Sequence, residues 1–262
     1  MVQIKIYQVD AFSDQLFSGN PAAVCPLEKW LPDEIMQAIA MENNLAETAF
    51  VKLDSDPYEL RWFTPKTEVD LCGHATLATA KVLFDRYLKK ERTGIIFKSR
   101  SGILKANKQD EKIFLDFPRD QPSPIQSFDF ITDAINIRPE AVFKGKDDYL
   151  AILKSETVVK ELLPDFLKLE VLDCRGLIVS APGEKYDFVS RFFAPQTGIN
   201  EDPVTGSAHT LLTPYWSERL SKKKFNAFQC SSRGGSLTCQ LLNDRVLIGG
   251  GAKMFLEGTI YI

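Results

Sequence analysis

The sequence predicts an α+β fold with two similar, pseudo-symmetric halves, each a largely antiparallel curved sheet or barrel around a central helix. Three observations support this prediction. The motif RWFTP at Arg61 recurs as RFFAP at Arg191, an offset close to half of the 262 residues. Each half contains many short runs in which apolar and polar residues alternate, as in strands. Each half also contains one helical pattern that follows a glycine turn.

The repeat continues beyond these two strands. The motif EVDLCGHAT, which begins at Glu68, aligns with EDPVTGSAH, so that Gly73 matches Gly206 and His74 matches Ser207. Both halves therefore share the order strand, proline turn, acidic residue, glycine turn and helix. Duplication explains this shared order better than a chance match of short motifs.

A proline-rich segment, FPRDQPSPIQSF, separates the two halves. Its prolines Pro118, Pro122 and Pro124 interrupt both sheet ladders and helices. We therefore predict an N-terminal half over residues 1–117 and a C-terminal half over residues 118–262. This division leaves open whether the last strand packs back on the first half.

Composition excludes several classes of partner. The net charge is -3 and the pI is about 5.6, so the chain has no broad attraction for nucleic acid or acidic lipid. The N-terminal MVQIKIYQVDAF alternates like a strand rather than forming the apolar block of a signal peptide. No apolar stretch reaches the length of a membrane span. We expect no nucleic-acid partner and no membrane partner.

The cysteines indicate the redox environment. The chain has five of them, an odd number, and none are spaced as a pair of close metal ligands. This pattern favours reduced thiols in a cytoplasmic protein, with neither a disulfide framework nor a structural zinc site.

The two glycine turns are the predicted chemical centres. Apolar residues at helical spacing after Gly73 predict a helix whose first N–H groups lack intrahelical partners. Such a helix start attracts anions. The turn at Gly206 and Ser207 has the same pattern, although Pro214 is expected to kink or restart its helix. Duplication would allow both helix starts to face one small carboxylate in a cleft between the halves.

The chain has two histidines, His74 and His209, and both lie in these turns. Their shared placement favours a functional role for His74, because histidine is a common acid/base group. His209 aligns with Thr76 within the helix, which favours a structural role. Cys72 would suit a nucleophile at a helix start, but its counterpart is Thr205, which favours a small buried residue.

Glu47 interrupts an apolar strand. In NNLAETAFVKL, period-two alternation places Glu47 on the same face as Ala49, Val51 and Leu53. A charge at the first residue of a strand often still reaches water, so a surface role stays open. On an apolar face, a carboxylate loses hydration and holds a proton more readily, which suits proton transfer near neutral pH.

Four ordered motifs closely resemble the PhzF family, the phenazine biosynthesis isomerases and their relatives. These motifs are DAFSDQLFSGNPAAV, NNLAETAFV, RWFTPKTEVDLCGHATLA and FFAPQTGINEDPVTGSAHTLLTPYW, and the resemblance runs from about residue 7 to the C-terminal IGGGAKMFLEGTIYI. The resemblance implies a fold like that of diaminopimelate epimerase, with the active site between two similar halves. It also suggests a homodimer.

The resemblance assigns roles residue by residue. It implies Glu47 as the acid/base, with His74 and Asp202 holding the substrate. It also implies substrate-binding positions at the edge of the site and at the two helix starts, which are Asn20, Gly73, Gly206 and Ser207.

Together these features predict a cofactor-independent isomerase that moves a proton, an allylic shift, within a small carboxylic acid. We expect no cofactor and no metal, because the sequence has no phosphate-binding glycine fingerprint and no clustered metal ligands. Diaminopimelate epimerase uses one cysteine in each turn, whereas only Cys72 is present here. Two alternatives stay open: a two-base epimerase with Asp202 opposite Glu47, and a non-catalytic small-molecule-binding or interaction protein.

Overall fold

The strands predicted from alternation form two units in the computed structural model, which describes residues 2–262. The first unit comprises the chain up to Asp116 together with Gly249–Ile262, and the second comprises Phe117–Ile248. The C-terminal strand is therefore part of the first unit. The boundary falls at the start of the proline-rich segment.

The elements of the first unit before the boundary are β1 (Gln3–Ala11), β2 (Asn20–Leu27), α1 (Asp33–Asn43), β3 (Glu47–Lys52), β4 (Tyr58–Phe63), β5 (Glu68–Val69), α2 (Gly73–Val82) with a π-helical turn (Leu83–Tyr87), β6 (Gly94–Ser99), β7 (Gly102–Gln109) and β8 (Lys112–Pro118). Those of the second unit are β9 (Ser123–Ile125), α3 (Asp129–Ile135), β10 (Ala141–Lys144), β11 (Asp148–Ile152), α4 (Glu156–Glu161), α5 (Phe166–Glu170), β12 (Gly176–Pro182), β13 (Phe188–Ala194), a 3-10 turn (Pro195–Thr197), β14 (Ile199–Glu201), α6 (His209–Leu220), β15 (Lys224–Gln229), β16 (Gly235–Leu241) and β17 (Arg245–Gly250). The final strand is β18 (Ala252–Tyr261).

The sheet of the first unit has the strand order β18, β1, β2, β3, β4, β6, β7, β8. The pairs β2–β3 and β4–β6 are parallel, and the remaining neighbours in this order are antiparallel. The short strand β5 pairs antiparallel with the end of β4 and leads into α2. The sheet is therefore mixed but largely antiparallel.

The second unit repeats this scheme pairing by pairing. Its order is β9, β10, β11, β12, β13, β15, β16, with parallel pairs β11–β12 and β13–β15. The short strand β14 pairs with β13 and precedes α6, as β5 precedes α2. The predicted duplication and the predicted α+β class are confirmed by this shared topology.

Helix α2 is the central helix of the first unit. All of its residues except Gly73 and Lys81 are buried, and it packs against β1, β2, β3 and β18. Its small side chains allow strands to approach on several sides. The buried hydroxyls of Thr76 and Thr79 donate to the carbonyls of Cys72 and Ala75, at 2.5 and 2.7 Å, so they leave no unpaired donor in the core. As predicted, the helix begins at Gly73.

Helix α6 is the corresponding helix of the second unit. Trp216 stacks on Phe188 of β13 with ring centroids 5.6 Å apart, and its indole N–H donates to Ser180 of β12 at 3.0 Å. Pro214 was expected to kink or restart this helix; α6 runs through it, so the restart is wrong, whereas the kink stays a prediction. Proline cannot donate to the carbonyl of Thr210, and the backbone N–H of Asp120 donates to that carbonyl instead, at 3.2 Å.

The proline-rich segment is not wholly a loop. It contains β9, in which Pro124 lies opposite Phe143 of β10. A proline removes one ladder donor, and the sheet tolerates this loss because β9 is its edge strand.

Residues 2–262 contain no helix whose length and apolar character would allow it to cross a membrane. All five cysteines are free thiols, and Cys25, Cys72 and Cys239 are buried.

Equivalent ion pairs brace both short strands. Arg61 of β4 makes two hydrogen bonds to Glu68 of β5, each at 2.7 Å. Arg191 of β13 makes the same pair of bonds to Glu201 of β14, at 2.7 and 2.9 Å. Each arginine thus anchors the strand that leads to the glycine turn. The acidic residue of the repeat, Glu68 or Glu201, therefore has a structural role.

We predict that Glu201→Gln lowers the free energy of unfolding by about 1.5 to 3 kcal/mol, because it leaves the largely buried Arg191 guanidinium without its charged acceptor. Arg191 is 11% exposed, whereas Arg138 and Asp129 form a pair that is 69% and 78% exposed. The control Asp129→Asn should therefore change stability by less than about 0.5 kcal/mol. Urea unfolding of both variants provides the measurement, and equal effects would contradict the bracing role.

Candidate active site

Strand β3 carries Glu47 at its first position. Thr48 and Phe50 face α1: Thr48 accepts a hydrogen bond from Asn43 at 3.0 Å, and Phe50 packs in the same cluster as Met36. Alternation therefore directs Glu47 to the other face of the strand, towards α2. Both faces of β3 are buried, and Leu53 follows the end of the strand rather than sharing its face.

Glu47 faces His74 at the start of α2. Glu47 Oε2 lies 3.0 Å from His74 Nε2, and the two side chains are 14% and 6% exposed. The two atoms are therefore held close together with little access to water. A carboxylate and an imidazole at this distance can share or exchange a proton.

Asn20 and Cys72 contact the other ring nitrogen of His74. Asn20 Nδ2 lies 3.2 Å and Cys72 Sγ 3.5 Å from His74 Nδ1. Gly19 precedes Asn20 with φ of +72°, and a side chain there would strike the carbonyl of Ala11, so glycine is required at this turn. The Asn20 amide suits both charge states of the ring, since its nitrogen can donate and its oxygen can accept.

The charges around His74 favour its protonated form. Burial opposes a charge on the ring, but Cys72 and Glu47 outweigh it and hold the pKa of His74 above its ordinary value. Burial raises the pKa of the Cys72 thiol to about 11. With that thiol protonated near pH 7, the neighbouring carboxyl group of Glu47 is the remaining group that favours the charged ring. The raised pKa also disfavours Cys72 as a nucleophile.

Three side chains of metal-ligand type meet here. The donor atoms of Glu47, Cys72 and His74 all lie within 4.8 Å of one another. The expectation that the chain has no clustered ligand-type residues is therefore corrected, because folding brings β3 to the CGH turn. A thiol must lose its proton to bind a metal well, so the cluster suits proton transfer and hydrogen bonding near neutral pH. The absence of a metal stays a prediction.

In the second unit, Gln229 organises the segment that carries Asp202. Its side-chain oxygen accepts from the backbone N–H of Thr205 at 2.9 Å, and its nitrogen donates to the carbonyl of Asp202 at 2.8 Å. The Thr205 hydroxyl donates to Asp202 Oδ2 at 2.5 Å. Gln229 is fully buried at the end of β15, so it fixes this turn from within the core.

The glycine turn of the second unit differs from that of the first. Residues Gly206 to Ala208 form a tight turn, in which the N–H of His209 donates to Gly206 at 3.0 Å, before α6 begins at His209. The predicted helix start at Gly206 and Ser207 is therefore wrong, because these residues form the turn before α6. Arg175 Nη1 donates to Ser207 Oγ at 2.9 Å, and the same guanidinium donates two further hydrogen bonds to the carboxylate of Asp148.

His209 has a structural environment. Its Nδ1 lies 2.9 Å from the carbonyl of Thr205, and its ring is fully buried near Phe188. Burial lowers the pKa of His209 to about 4. The ring is therefore neutral near pH 7, and Nδ1–H donates to the carbonyl.

The predicted site residues fall into one group in each unit. The first unit brings together Asn20, Glu47, Gly73 and His74, and the second contains Asp202, Gly206 and Ser207. Sequence reasoning missed three further residues that support these groups: Asp148, Arg175 and Gln229. Asp148 and Gln229 lie in β11 and β15, Arg175 immediately precedes β12, and no local motif marks any of them.

The chain matches a family model described as phenazine biosynthesis-like protein, PhzC-PhzF, over residues 9–258. It is 49% identical over 261 residues to an uncharacterised isomerase of Pseudomonas aeruginosa, with complete coverage of both chains. A crystal structure of a PhzF-family phenazine biosynthesis protein from Enterococcus faecalis is 48% identical and superposes with a TM-score of 0.96, again with complete coverage of both chains.

A more distant solved structure shares the fold alone. A protein of Pseudomonas aeruginosa described as a predicted epimerase superposes with a TM-score of 0.78 at 19% identity, covering 99% of each chain. The epimerase-like fold implied by the sequence motifs is therefore confirmed.

We predict that Glu47→Gln lowers the pKa of His74, because it removes the anion that favours the charged ring. The measurement is an NMR titration of the histidine ring protons. The spectrum is simple, since the chain has two histidines and His209 stays neutral down to about pH 4. Glu42→Gln, the same change at an exposed residue, should leave the titration of His74 unchanged. An unaltered titration in Glu47→Gln would contradict the pairing.

We predict that His209 makes folding weaker in acid. Its pKa is about 4 in the folded protein and about 6.5 when unfolded, so only the unfolded state gains a proton as the pH falls between these values. The free energy of unfolding is therefore unaffected well above pH 6.5 and is lowered by about 2 kcal/mol at pH 5. His209→Gln retains a donor for Thr205 and should lose less stability between pH 7 and pH 5 than the wild type, as measured by urea unfolding. Equal losses would contradict the neutral buried ring.

Proposed function

Because the chain belongs to the phenazine biosynthesis-like family and is an isomerase of the PhzF type, we propose that it moves a proton within a small unsaturated carboxylic acid, without a cofactor, and that Glu47 is the acid/base. The observation that carries this proposal is the Oε2–Nε2 distance of 3.0 Å between Glu47 and His74 in a largely buried setting.

The proposed chemistry needs one proton-transfer group. The Glu47 carboxylate removes a proton from a carbon next to the substrate's double bond, and the electron pair left behind delocalises towards the substrate carboxylate. The protonated Glu47 then returns the same proton to another carbon of the delocalised system, so the double bond moves and the atoms balance. A positioned acid/base of this kind contributes about 10²- to 10⁴-fold to a rate.

His74 would assist proton transfer at Glu47. An imidazolium facing Oε2 stabilises the carboxylate and so keeps it ready to accept a proton. When Glu47 becomes protonated, the neighbouring charge loses its partner, which favours return of the proton to the substrate. Asn20 keeps the ring oriented through either form, because its amide has both a donor and an acceptor.

The second unit would supply substrate-binding groups. Asp202 is held through its carboxylate by the Thr205 hydroxyl and through its carbonyl by Gln229. The backbone amides of the turn at Gly206 and Ser207, just before α6, would bind the substrate carboxylate. These assignments agree with the motif resemblance and are part of the proposal.

The test is proton exchange in deuterated water. The protein is incubated with a library of small unsaturated carboxylic acids, and mass spectrometry and NMR locate the deuterium and the double bond. We expect the wild type to relocate the double bond of a subset of these acids and Glu47→Gln to lower that rate by at least about 10²-fold. Glu42→Gln should react at the wild-type rate.

Three outcomes would overturn the proposal in different ways. If Glu47→Gln retained the turnover rate of the wild type, Glu47 would not be the acid/base. Deuterium incorporation with inversion at one carbon, and no moved double bond, would indicate an epimerase. Saturable binding of an acid without exchange at any carbon would indicate a binding protein.

A further inference from the structure

We propose that Arg175 is a positioning residue that orients the Ser207 hydroxyl to donate a hydrogen bond to the carboxylate group of the substrate. This inference rests on the proposed carboxylate substrate and deepens it, because it identifies the charge that prepares the second unit for an anion. The motif resemblance implied Ser207 but not Arg175 or Asp148.

The geometry of the guanidinium supports this role. Arg175 Nε lies 2.9 Å from Asp148 Oδ1, Nη2 contacts Asp148 Oδ2, and Nη1 lies 2.9 Å from Ser207 Oγ. The Phe192 ring lies under the guanidinium, with its centroid 5.3 Å away. Bidentate pairing and stacking leave the planar group little freedom, so Nη1 has a defined direction towards Ser207.

The direction of this hydrogen bond determines what Ser207 can do. A guanidinium has donors and no acceptor, so Ser207 Oγ must accept from Arg175. The proton of the Ser207 hydroxyl is therefore directed away from Arg175 and is available for an acceptor. The positive charge also polarises the hydroxyl, which strengthens it as a donor to an anion.

Asp148 keeps Arg175 in place. Asp148 is 4% exposed at the first position of β11, and burial raises its pKa while Arg175 opposes that rise. Burial also opposes the charge on Arg175, but the carboxylates of Asp148, Asp147 and Asp202 outweigh it and raise the pKa of the guanidinium. The cation is therefore retained at all pH values at which the protein is folded.

The repeated topology shows that Arg175 and Ser207 occupy positions equivalent to those of Glu47 and His74. Strand β3 is parallel to β2 and begins with Glu47, which contacts His74, the residue after Gly73. Strand β12 is parallel to β11 and is preceded by Arg175, which contacts Ser207, the residue after Gly206. The second unit thus has a cation and a hydroxyl where the first has a carboxylate and an imidazole. Anion binding is thereby assigned to the turn of the second unit.

The test uses acetate, the simplest organic carboxylate after formate, and its neutral analogue acetamide. Both are titrated at constant ionic strength into the isotope-labelled full chain, and the backbone amide at position 207 is followed by NMR. We expect a saturable shift with acetate and none with acetamide. Arg175→Met should weaken acetate binding by at least about 10-fold, and Arg175→Lys should have an intermediate effect because it keeps the charge without the bidentate grip.

A double-mutant cycle separates positioning from general electrostatics. Ser207→Ala should weaken acetate binding in the wild type but have no further effect in the Arg175→Met background. Equal effects of Ser207→Ala in both backgrounds would overturn the proposal. Arg138→Met, which removes an exposed arginine of the same unit, should leave the affinity for acetate unchanged.

Arg175→Met leaves the buried Asp148 without this charged partner, so the stability of the variant protein must be measured. The double variant Asp148→Asn/Arg175→Met removes both charges together and avoids an isolated buried ion. Its binding should be as weak as that of Arg175→Met, with a melting temperature closer to the wild type. Wild-type affinity in the double variant, or no acetate shift at position 207 in the wild type, would overturn the inference. Neither result depends on proton exchange by Glu47. Failure of this inference can therefore be distinguished from failure of the proposed function.

Discussion

The first unit depends on a helix start that is buried inside its own sheet. The residues at the beginning of α2 are enclosed, so His74 must find polar partners within the protein rather than in water. Glu47, Asn20 and Cys72 provide those partners from β3, β2 and the turn itself. The same requirement explains the hydroxyl-to-backbone bonds of Thr76 and Thr79. Glu47 Oε2 and His74 Nε2 nevertheless lie 3.0 Å apart without hydrogen-bond geometry, and neither atom has a hydrogen-bond partner among residues 2–262.

Duplication has preserved the backbone scheme while the chemistry has diverged. Both units have the same strand pairings and the same arginine–glutamate brace at the short strand before the helix. Backbone pairing depends on main-chain groups, so it survives changes of side chain. The residues at the two helix starts have changed instead, and His209 is a buried neutral ring whereas His74 faces a carboxylate. Two histidines in related turns therefore have different physical roles.

Particular residues show how far sequence reasoning reaches. The places of Glu47 and His74 followed from alternation, from the glycine turn and from the motif resemblance, because each signal is local. Pro214 does not restart α6, and the carbonyl of Thr210, which a proline cannot pair, accepts instead from the backbone N–H of Asp120, a residue far away in the chain. Gln229, buried in β15, and Arg175, just before β12, gave no signal, because such side chains reveal their partners only when the neighbouring strands are in register.

The sequence by itself determined the α+β class, the duplication, the start of α2 at Gly73 and the residue types available for chemistry. These properties depend on periodicity and turn residues, which are local and are repeated along the chain. Only the tertiary structure decided that Glu47 lies 3.0 Å from His74, that Gln229 holds the Asp202 turn, and that Arg175 directs Ser207. Such contacts join segments of the chain that are tens of residues apart. Their distances are set by register and packing, which no short stretch of sequence contains.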